Sequence, residues 1–364
     1  MKRFLWVCNI TLISAITLTH SANFNSTSQL NVPEIGSGVG LIDQQKEKMI
    51  GEKVFREVQH QMSVLQNPWL EDQLESVFSH ILSQTQLGQP IGLVIINDPQ
   101  INAFAVPGGL FAINTGLIAS ARNMDEVAGV MAHEVAHVSQ RHYSRSQEAF
   151  KGQGLLTVAG LLVGALIASQ ADSDAGTAVM LGTQAALMDQ QLNYSRNQER
   201  EADRIGMQYM YSAGYNPQSM ADFFEVMDRS ASKVSFLPDF WLTHPLTTER
   251  MSEARLRANQ FPLIKSNLHD EDFEILKWYS RVISSQATEQ QLQVLANRNN
   301  FAGQLALSAF YLKQGDYVLA QQVLDQAKKQ QHLNNLLVLI QTDIYLGQNK
   351  TEQAYQAVQS AARI

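Results

Sequence analysis

The spacing of apolar residues along the chain predicts a mainly helical protein with one small sheet. Apolar residues recur at close to a helical period in 41–62, and a second helix is predicted for 69–86. The β-branched run IGLVIIND (91–98) predicts a buried strand. A Pro-Gly-Gly break inside 101–121 predicts strand, turn and strand there. The next helix is predicted to begin at 123–125, where acidic residues suit a first helical turn.

The middle of the chain is predicted to alternate helices with breaks. Residues 154–169 form an uncharged run, rich in Gly and Ala and short for a bilayer span. We expect a close-packed helical segment or a lid over the site; a membrane-dipping hairpin with peripheral membrane contact is the alternative. A helix is predicted for 192–210, and another follows the break at 214–218. The aromatic, proline-broken stretch 235–250 is predicted to be a loop.

From about residue 271 the sequence predicts helical hairpins that repeat every 34 residues. The recurring pairs are Tyr311-Leu312 and Tyr345-Leu346, Ala320 and Ala354, Ala327 and Ala361, and Gly315 level with Asn349 at the turn. Small residues at fixed places where paired helices touch are typical of tetratricopeptide repeats. Two repeats are clear, 271–297 is a degenerate hairpin before them, and an ordinary helical bundle is the alternative. The predicted fold class is α+β, followed by an α-solenoid.

The N-terminal segment predicts export from the cytoplasm. Lys2 and Arg3 precede an apolar stretch, and Ala22 is a small residue near the expected cleavage point, which is the layout of a signal peptide at 1–22. A membrane anchor is the alternative. The only cysteine, Cys8, would leave with this segment, and a cysteine-free mature chain suits a bacterial periplasm.

The charge balance excludes nucleic acid as an expected partner. The 364-residue chain has 27 Lys and Arg against 34 Asp and Glu, a formal net charge of −7. A nucleic-acid-binding face would need a basic stripe, and the sequence gives no sign of one.

The segment GVMAHEVAHVSQRH carries candidate metal chemistry. His133 and His137 are four residues apart, so on a helix both imidazoles can point at one ion. Glu134 can reach a metal-bound water without being a ligand. Zinc suits such a site because it accepts nitrogen and oxygen ligands at four-coordination and lowers the pKa of bound water towards ~7. We therefore expect one Zn²⁺ per chain; three polar residues that share a helix by chance are the alternative.

The segment EREAD supplies further candidates. Glu199 and Asp203 are also four residues apart on a predicted helix. Glu199 is the expected third zinc ligand, and Asp203 is expected to accept the outer N–H of a ligand histidine and fix its tautomer. Taken alone, the segment fits a solvated charged face in which neighbouring arginines form ordinary pairs. Beside the histidine motif, the metal interpretation is the better one.

The other histidines are assigned no metal role from the residues alone. His142 follows His137 by five positions, which on a continued helix turns it off the ligand face, so we expect a structural or surface histidine. The remaining ones have no partners in sequence: His60, His80, His269 and His332.

In their order along the chain, these motifs amount to a family resemblance. Signal peptide, HEVAH, EREAD, THPLTTER and trailing repeats occur in sequence. The chain resembles the gluzincin metalloproteases related to HtpX and the CAAX prenyl protease, and within them the periplasmic β-barrel assembly-enhancing group of Gram-negative bacteria. The resemblance implies zinc held by His133, His137 and Glu199, with Glu134 as general base.

The resemblance also assigns a role to the THPLTTER segment. It implies that His244 can approach the metal and occlude it, or move aside when substrate enters, and that Arg250 lies near the site. A fourth protein ligand would displace the catalytic water and leave a latent enzyme. A loop histidine without metal contact is the alternative.

The strand–turn–strand segment suits a substrate-binding edge strand. Extended peptides can pair main chain to main chain with such an edge, here Phe104, Ala105 and Val106, while Gly108 and Gly109 allow the turn. An internal hairpin that binds no ligand is the alternative.

The sequence thus predicts a signal peptide at 1–22, a protease domain at 23–265 and a short repeat domain at 266–364. By resemblance, the substrates are misfolded or stalled outer-membrane proteins, and the repeats contact the outer-membrane β-barrel assembly machinery. The chain has fewer repeats than the family, so its array is shorter or the sequence is a fragment. Two rivals are a chaperone or assembly scaffold with a largely latent zinc site, and a membrane-embedded relative.

Overall fold

The computed structural model describes most of the chain after residue 40. The described ranges are 41–149, 183–231, 244–264, 270–298, 300–330 and 334–361. All of them belong to one compact unit, residues 32–364. The predicted signal peptide, the lead-in that follows it and the uncharged run 154–169 lie outside the described ranges. Among the described residues, no helix has the length and apolar character that crossing a bilayer requires.

Three strands and fourteen helices form within the described residues, and the α+β class is confirmed. The strands are β1 (Gly92–Ile96), β2 (Ala103–Val106) and β3 (Leu110–Asn114). The first helices are α1 (Leu41–Gln61), α2 (Pro68–Leu82), α3 (Thr115–Ser120), α4 (Met124–Ser139), α5 (His142–Ala149), α6 (Thr183–Ser212), α7 (Gln218–Ala231) and α8 (Thr248–Ala258). The remaining helices are α9 (Glu271–Ile283), α10 (Glu289–Ala296), α11 (Phe301–Gln314), α12 (Tyr317–Lys328), α13 (Asn335–Gly347) and α14 (Thr351–Ala361).

The sheet has the order β1-β3-β2, with β3 parallel to β1 and antiparallel to β2. The predicted strand, turn and strand are confirmed. The turn depends on glycine, because Gly108 and Gly109 have φ angles of 88° and 81° and a side chain on Gly108 would lie 2.5 Å from the Glu47 carbonyl oxygen. Since β2 pairs on one side only, it is an edge strand of this sheet.

The helix α4 runs through the main hydrophobic core and contacts α2, α6, α7 and β2. Its crossing with α6 is close because Gly206 has no side chain: a Cβ there would lie 3.1 Å from the backbone of Ala132 and His133. This close approach brings the EREAD segment against the HEVAH segment.

A second hydrophobic core is formed by α9 to α13. The predicted hairpins are confirmed as helices, and Gly315 and Asn349 both have left-handed φ angles, 79° and 59°, at equivalent turns. Ala320 and Ala354 are buried as the repeat pattern predicts. The assignment of these hairpins to tetratricopeptide repeats, and the domain boundary at 265/266, stay predictions.

The prediction of a loop for 235–250 is wrong at its C-terminal end. Thr248 begins α8, and the side chain of Thr247 caps this helix by accepting a hydrogen bond from Arg250 N. The proline that suggested a loop, Pro245, precedes the cap and does not interrupt the helix. Residues 235–243 lie outside the described ranges.

Candidate metal centre

Two helices place the predicted metal ligands. The side chain of Asn123 caps α4 by accepting from Glu126 N, so the helix begins where the sequence predicts and presents His133 and His137 on one face. The opposite wall is α6, whose buried face carries Glu199 and Asp203. His133 and Glu199 are buried, and His137 is half-buried at the rim.

The four candidate donor groups converge on one point. His133 Nε2 lies 3.0 Å from His137 Nε2 and 3.4 Å from Glu199 Oε2. His137 Nε2 lies 3.3 Å from Glu199 Oε1. His244 Nδ1 completes the group at 3.3 Å from His133 Nε2 and 3.1 Å from Glu199 Oε1. One ligand atom from each of the four residues lies within 4.8 Å of all the others.

These separations fit the size and chemistry of zinc. A tetrahedral zinc ion with nitrogen and oxygen ligands at about 2.0–2.1 Å has ligand atoms about 3.3 Å apart. The measured donor separations of 3.0 to 3.4 Å cluster around that value. Imidazole nitrogens combined with one carboxylate are typical ligands of zinc, whereas calcium and magnesium are bound through oxygen ligands. The chain's own residues therefore fit a zinc ion at this point.

Glu134 lies beside the donors without joining them. Its carboxylate is buried, and among the described residues its Oε1 accepts no hydrogen bond; His244 Nε2 lies 3.4 Å from this oxygen. Burial raises the pKa of Glu134, and a hydrogen bond from the backbone of Ala105 partly offsets the increase. A buried carboxylate with an unpaired oxygen and a raised pKa is suited to accept and return a proton.

Asp203 and Arg250 surround the donors with opposite charges. His133 Nδ1 lies 2.9 Å from Asp203 Oδ1. Arg250 donates through Nε and Nη2 to both Asp203 oxygens at 2.6 and 2.8 Å, and its Nη1 is 2.8 Å from Glu199 Oε2. The guanidinium thus pairs with the carboxylate of Glu199, a candidate ligand, and with the carboxylate behind the candidate ligand His133.

These contacts set the protonation of the metal-free centre. Burial alone would lower the pKa of His133, but Asp203 and Glu199 raise it to about 9. Burial opposes ionisation of the two carboxyls, yet His244 and Arg250 hold the pKa of Glu199 well below its usual range, and Arg250 also lowers that of Asp203. Burial lowers the pKa of His137. Both carboxylates are therefore ionised and available to a cation.

His142 is not one of the four donors, as expected, but it lies closer to them than a continued helix would place it. The helix α4 ends at Ser139 with Gln140 as its C-cap, and Arg141 has a left-handed φ of 53°, so the chain turns before His142 begins α5. The ring is buried, and its Nδ1 lies 2.9 Å from His137 Nδ1. Counting five residues along an unbroken helix could not find this contact. The only sequence signal is that a third histidine follows so closely on the motif.

His244 enters the centre from the segment that precedes α8. Its side chain is buried between Glu199 and Glu134. The segment is fixed by Arg250, whose Nη1 donates to the carbonyl of Pro245 at 3.2 Å. His244 and Arg250 thus both lie at the centre in this structure.

The edge strand β2 runs beside α4. The carbonyls of Asn102 and Val106 accept hydrogen bonds from the β3 side, from Asn114 N at 3.0 Å and Gly109 N at 3.1 Å. Because backbone groups alternate along a strand, those of Ala103 and Ala105 face away from β3, on the edge that pairs with no other strand of this sheet, and the Ala105 N–H bonds Glu134 there. Phe104 and Val106 are buried in the core beneath the strand.

Comparison with known proteins identifies the family. The sequence model of peptidase family M48 matches residues 65–258, just over half of the chain, and this range contains all four donors. The chain belongs to peptidase family M48. As an M48 peptidase it is a metalloprotease, and its donor cluster is compatible with a metal site.

Several curated relatives align with most of this M48 chain. The β-barrel assembly-enhancing protease of Escherichia coli K12 is 30% identical over 363 residues, which cover 96% of this chain and 74% of the relative. The protein of the same name from Yersinia pestis is 31% identical over 368 residues, with 96% and 75% coverage. A putative β-barrel assembly-enhancing protease of Vibrio cholerae is 35% identical over 244 residues, 66% of this chain and 50% of the relative.

Proposed function

We propose that this M48 protein is a zinc endopeptidase in which His133, His137 and Glu199 hold the ion and Glu134 is the general base. The convergence of the donors beside a buried carboxylate whose Oε1 accepts no hydrogen bond from the described residues carries the proposal. Zinc held there supplies a Lewis acid that polarises the substrate carbonyl and lowers the pKa of bound water towards ~7. Glu134 takes a proton from the attacking water at Oε1 and returns it to the leaving amine.

The proposal is tested by peptidase activity and its metal dependence. The purified full chain should cleave casein, lose the activity to a chelator and regain it with one equivalent of zinc. Calcium or magnesium should not restore it, because the imidazole donors are poor ligands for these ions. A chain that binds zinc but cleaves nothing would favour the rival, a chaperone or assembly scaffold with a latent zinc site.

We further propose that an extended peptide adds to the free edge of β2, next to Glu134. The outward backbone groups of Ala103 and the outward carbonyl of Ala105 would pair with the substrate main chain, which orients the scissile bond with little dependence on sequence. Phe104 and Val106 anchor the strand from below.

Replacing Ala103, the first residue of β2, by Pro tests the edge strand, because proline lacks the outward N–H yet is tolerated at the start of a strand. The loss of one main-chain hydrogen bond, about 0.5–1.5 kcal/mol, is expected to raise KM about 2- to 10-fold. Ala103→Gly keeps the N–H and is the matched control. Michaelis kinetics on a fluorogenic peptide measure both, and equal KM values for the two variants would contradict edge pairing.

His244 is proposed to hold the enzyme in a latent state. Its Nδ1 lies among the donors and its Nε2 faces Glu134, so the ring fills the place of the attacking water. A shell closed by four protein ligands is typical of structural rather than catalytic zinc.

Removing this ring should therefore activate the protease. His244→Ala is expected to raise casein cleavage about tenfold, which corresponds to a closed state favoured by about 1.4 kcal/mol. Zinc should stay bound through the other three ligands. His80→Ala, which removes an exposed histidine of α2, is the control. Lower activity in His244→Ala at unchanged zinc content would contradict latency and assign His244 a positive role in catalysis.

As substrates we propose misassembled or stalled outer-membrane β-barrel proteins in the periplasm, with the assembly machinery contacted through a repeat domain at 266–364. The support is that relatives covering 96% of the chain are named β-barrel assembly-enhancing proteases. In a host that lacks its own copy, the chain should remove a stalled β-barrel precursor. Glu134→Gln should leave it in place if proteolysis, rather than a scaffold function, is responsible.

A further inference from the structure

His142 is a buried titratable group next to the metal centre that the proposed mechanism does not use. Its Nδ1 lies 2.9 Å from His137 Nδ1. On the other side of the ring, His142 Nε2 lies 3.3 Å from Glu201 Oε2, and Arg145 Nη1 donates to the same oxygen at 2.9 Å. These four side chains form a line from a metal-facing imidazole to a carboxylate–guanidinium pair.

We propose that His142 is a positioning residue for the metal: its Nδ1 accepts the Nδ1 proton of His137 and thereby holds the His137 Nε2 lone pair towards the ion. The inference rests on the proposed zinc site. It assigns to His142 a function that no spacing rule for the His-Glu-x-x-His motif contains.

The proton positions along the line follow from its two ends. His137 Nε2 faces the other donors, so as a ligand it must be unprotonated, and the ring proton lies on Nδ1. His142 Nδ1 must then accept, which places the proton of the neutral His142 ring on Nε2, opposite the Glu201 carboxylate. Each N–H along the line has an acceptor, and no two donors face each other.

His133 has a corresponding arrangement, which supports the assignment. Its outer nitrogen faces Asp203, and Asp203 is in turn held by Arg250. Each ligand histidine of α4 is thus backed by a carboxylate paired with an arginine, directly for His133 and through His142 for His137. Such outer partners fix the ring orientation and tautomer of ligand histidines and raise their basicity.

The backbone fixes His142 independently of its ring. Its carbonyl oxygen accepts from Gln198 Nε2 and from Ser146 Oγ, both at 2.8 Å. Gln198 is on α6, next to the ligand Glu199, so the same helix that supplies the third ligand holds the start of α5 in place. Substitutions of the His142 ring should therefore act on the metal more than on the fold.

Three replacements of His142 separate its contacts. His142→Asn places the amide oxygen about where Nδ1 lies, so it can still accept the His137 proton. The amide nitrogen of His142→Gln reaches instead towards Glu201, and His142→Phe makes neither contact. Ser146→Ala is the control, since it removes a contact of the His142 carbonyl but leaves the ring. The zinc Kd of each purified full chain is measured by competition with a chromophoric chelator, and the cobalt-loaded proteins are compared by their visible absorption.

The Phe and Gln variants are expected to bind zinc about 10- to 100-fold more weakly, with altered cobalt spectra, whereas Asn recovers most of the affinity. An unchanged Kd in His142→Phe would overturn the inference and leave the proposed function standing. Equal losses in all three variants and in Ser146→Ala would also overturn it, because they would indicate general loosening of α5. A wild-type chain that binds no zinc would overturn the proposed function itself.

Discussion

Glu134→Gln is expected to lower kcat for casein or peptide cleavage by about 10²- to 10⁴-fold, the contribution typical of a positioned general base. The amide has nearly the shape of the carboxylate but cannot accept a proton from water or return it to the leaving amine. Glu134 is not one of the four donors that converge on the metal site, so zinc content should stay at the wild-type value. Steady-state kinetics and metal analysis of the same samples measure both quantities.

A second glutamate of α4 is the matched control. Glu126 is fully buried, and burial raises its pKa as it does for Glu134. However, its carboxylate pairs with Arg122 at the start of α4, seven residues before His133, and is not one of the donors. Glu126→Gln should change stability without changing kcat. If Glu134→Gln retained wild-type kcat, or if both variants lost activity equally, the assignment of Glu134 as general base would be wrong.

Arg250→Met is expected to destabilise the metal-free protein by about 3–5 kcal/mol, because it leaves buried carboxylates without their cation. The guanidinium is buried and bonds both oxygens of Asp203 and one of Glu199. Methionine fills a similar volume, so the loss reports charge rather than a cavity. Urea unfolding in the presence of a chelator measures it. The deficit should shrink when zinc is added, since the ion replaces the missing positive charge at Glu199.

The control for Arg250 is an arginine on the same helix. Arg255 pairs with Asp222 at 2.6 Å and Glu225 at 2.5 Å, but its side chain is 34% exposed. Arg255→Met should therefore cost less than about 1 kcal/mol, as exposed ion pairs do. Equal unfolding free energies for the two variants would show that burial of the Arg250 ion pairs adds nothing to the stability of the fold.

Residue spacing is sufficient to predict the part of the centre that lies on unbroken helices. His133 and His137 on α4, and Glu199 and Asp203 on α6, are each four apart, so the helical period alone puts each pair on one face. The contact between the two helices is not in that pattern. It depends on the packing of Gly206 against the α4 backbone, which is a tertiary contact that local sequence patterns do not predict.

Residue spacing does not predict side-chain positions where the backbone leaves the regular helix. Arg141 takes a left-handed conformation, so the five-residue offset that assigned His142 to another face does not apply. The sequence also does not predict the start of α8. Pro245 and the aromatic residues before it favour a loop up to 250, whereas the Thr247 cap begins the helix at Thr248. The parallel pairing of β1 with β3 also depends on contacts distant in sequence, which local pattern does not encode.

The central claim is that His133, His137 and Glu199 bind one zinc ion, and metal analysis of a ligand variant tests it most directly. Zinc per chain is measured by mass spectrometry of the dialysed wild type and of Glu199→Gln, whose amide is a poor zinc ligand. The account predicts about one zinc per wild-type chain and a large loss in the variant, with both proteins folded. A folded wild-type chain without zinc, or a Glu199→Gln chain that retains it fully, would contradict the account.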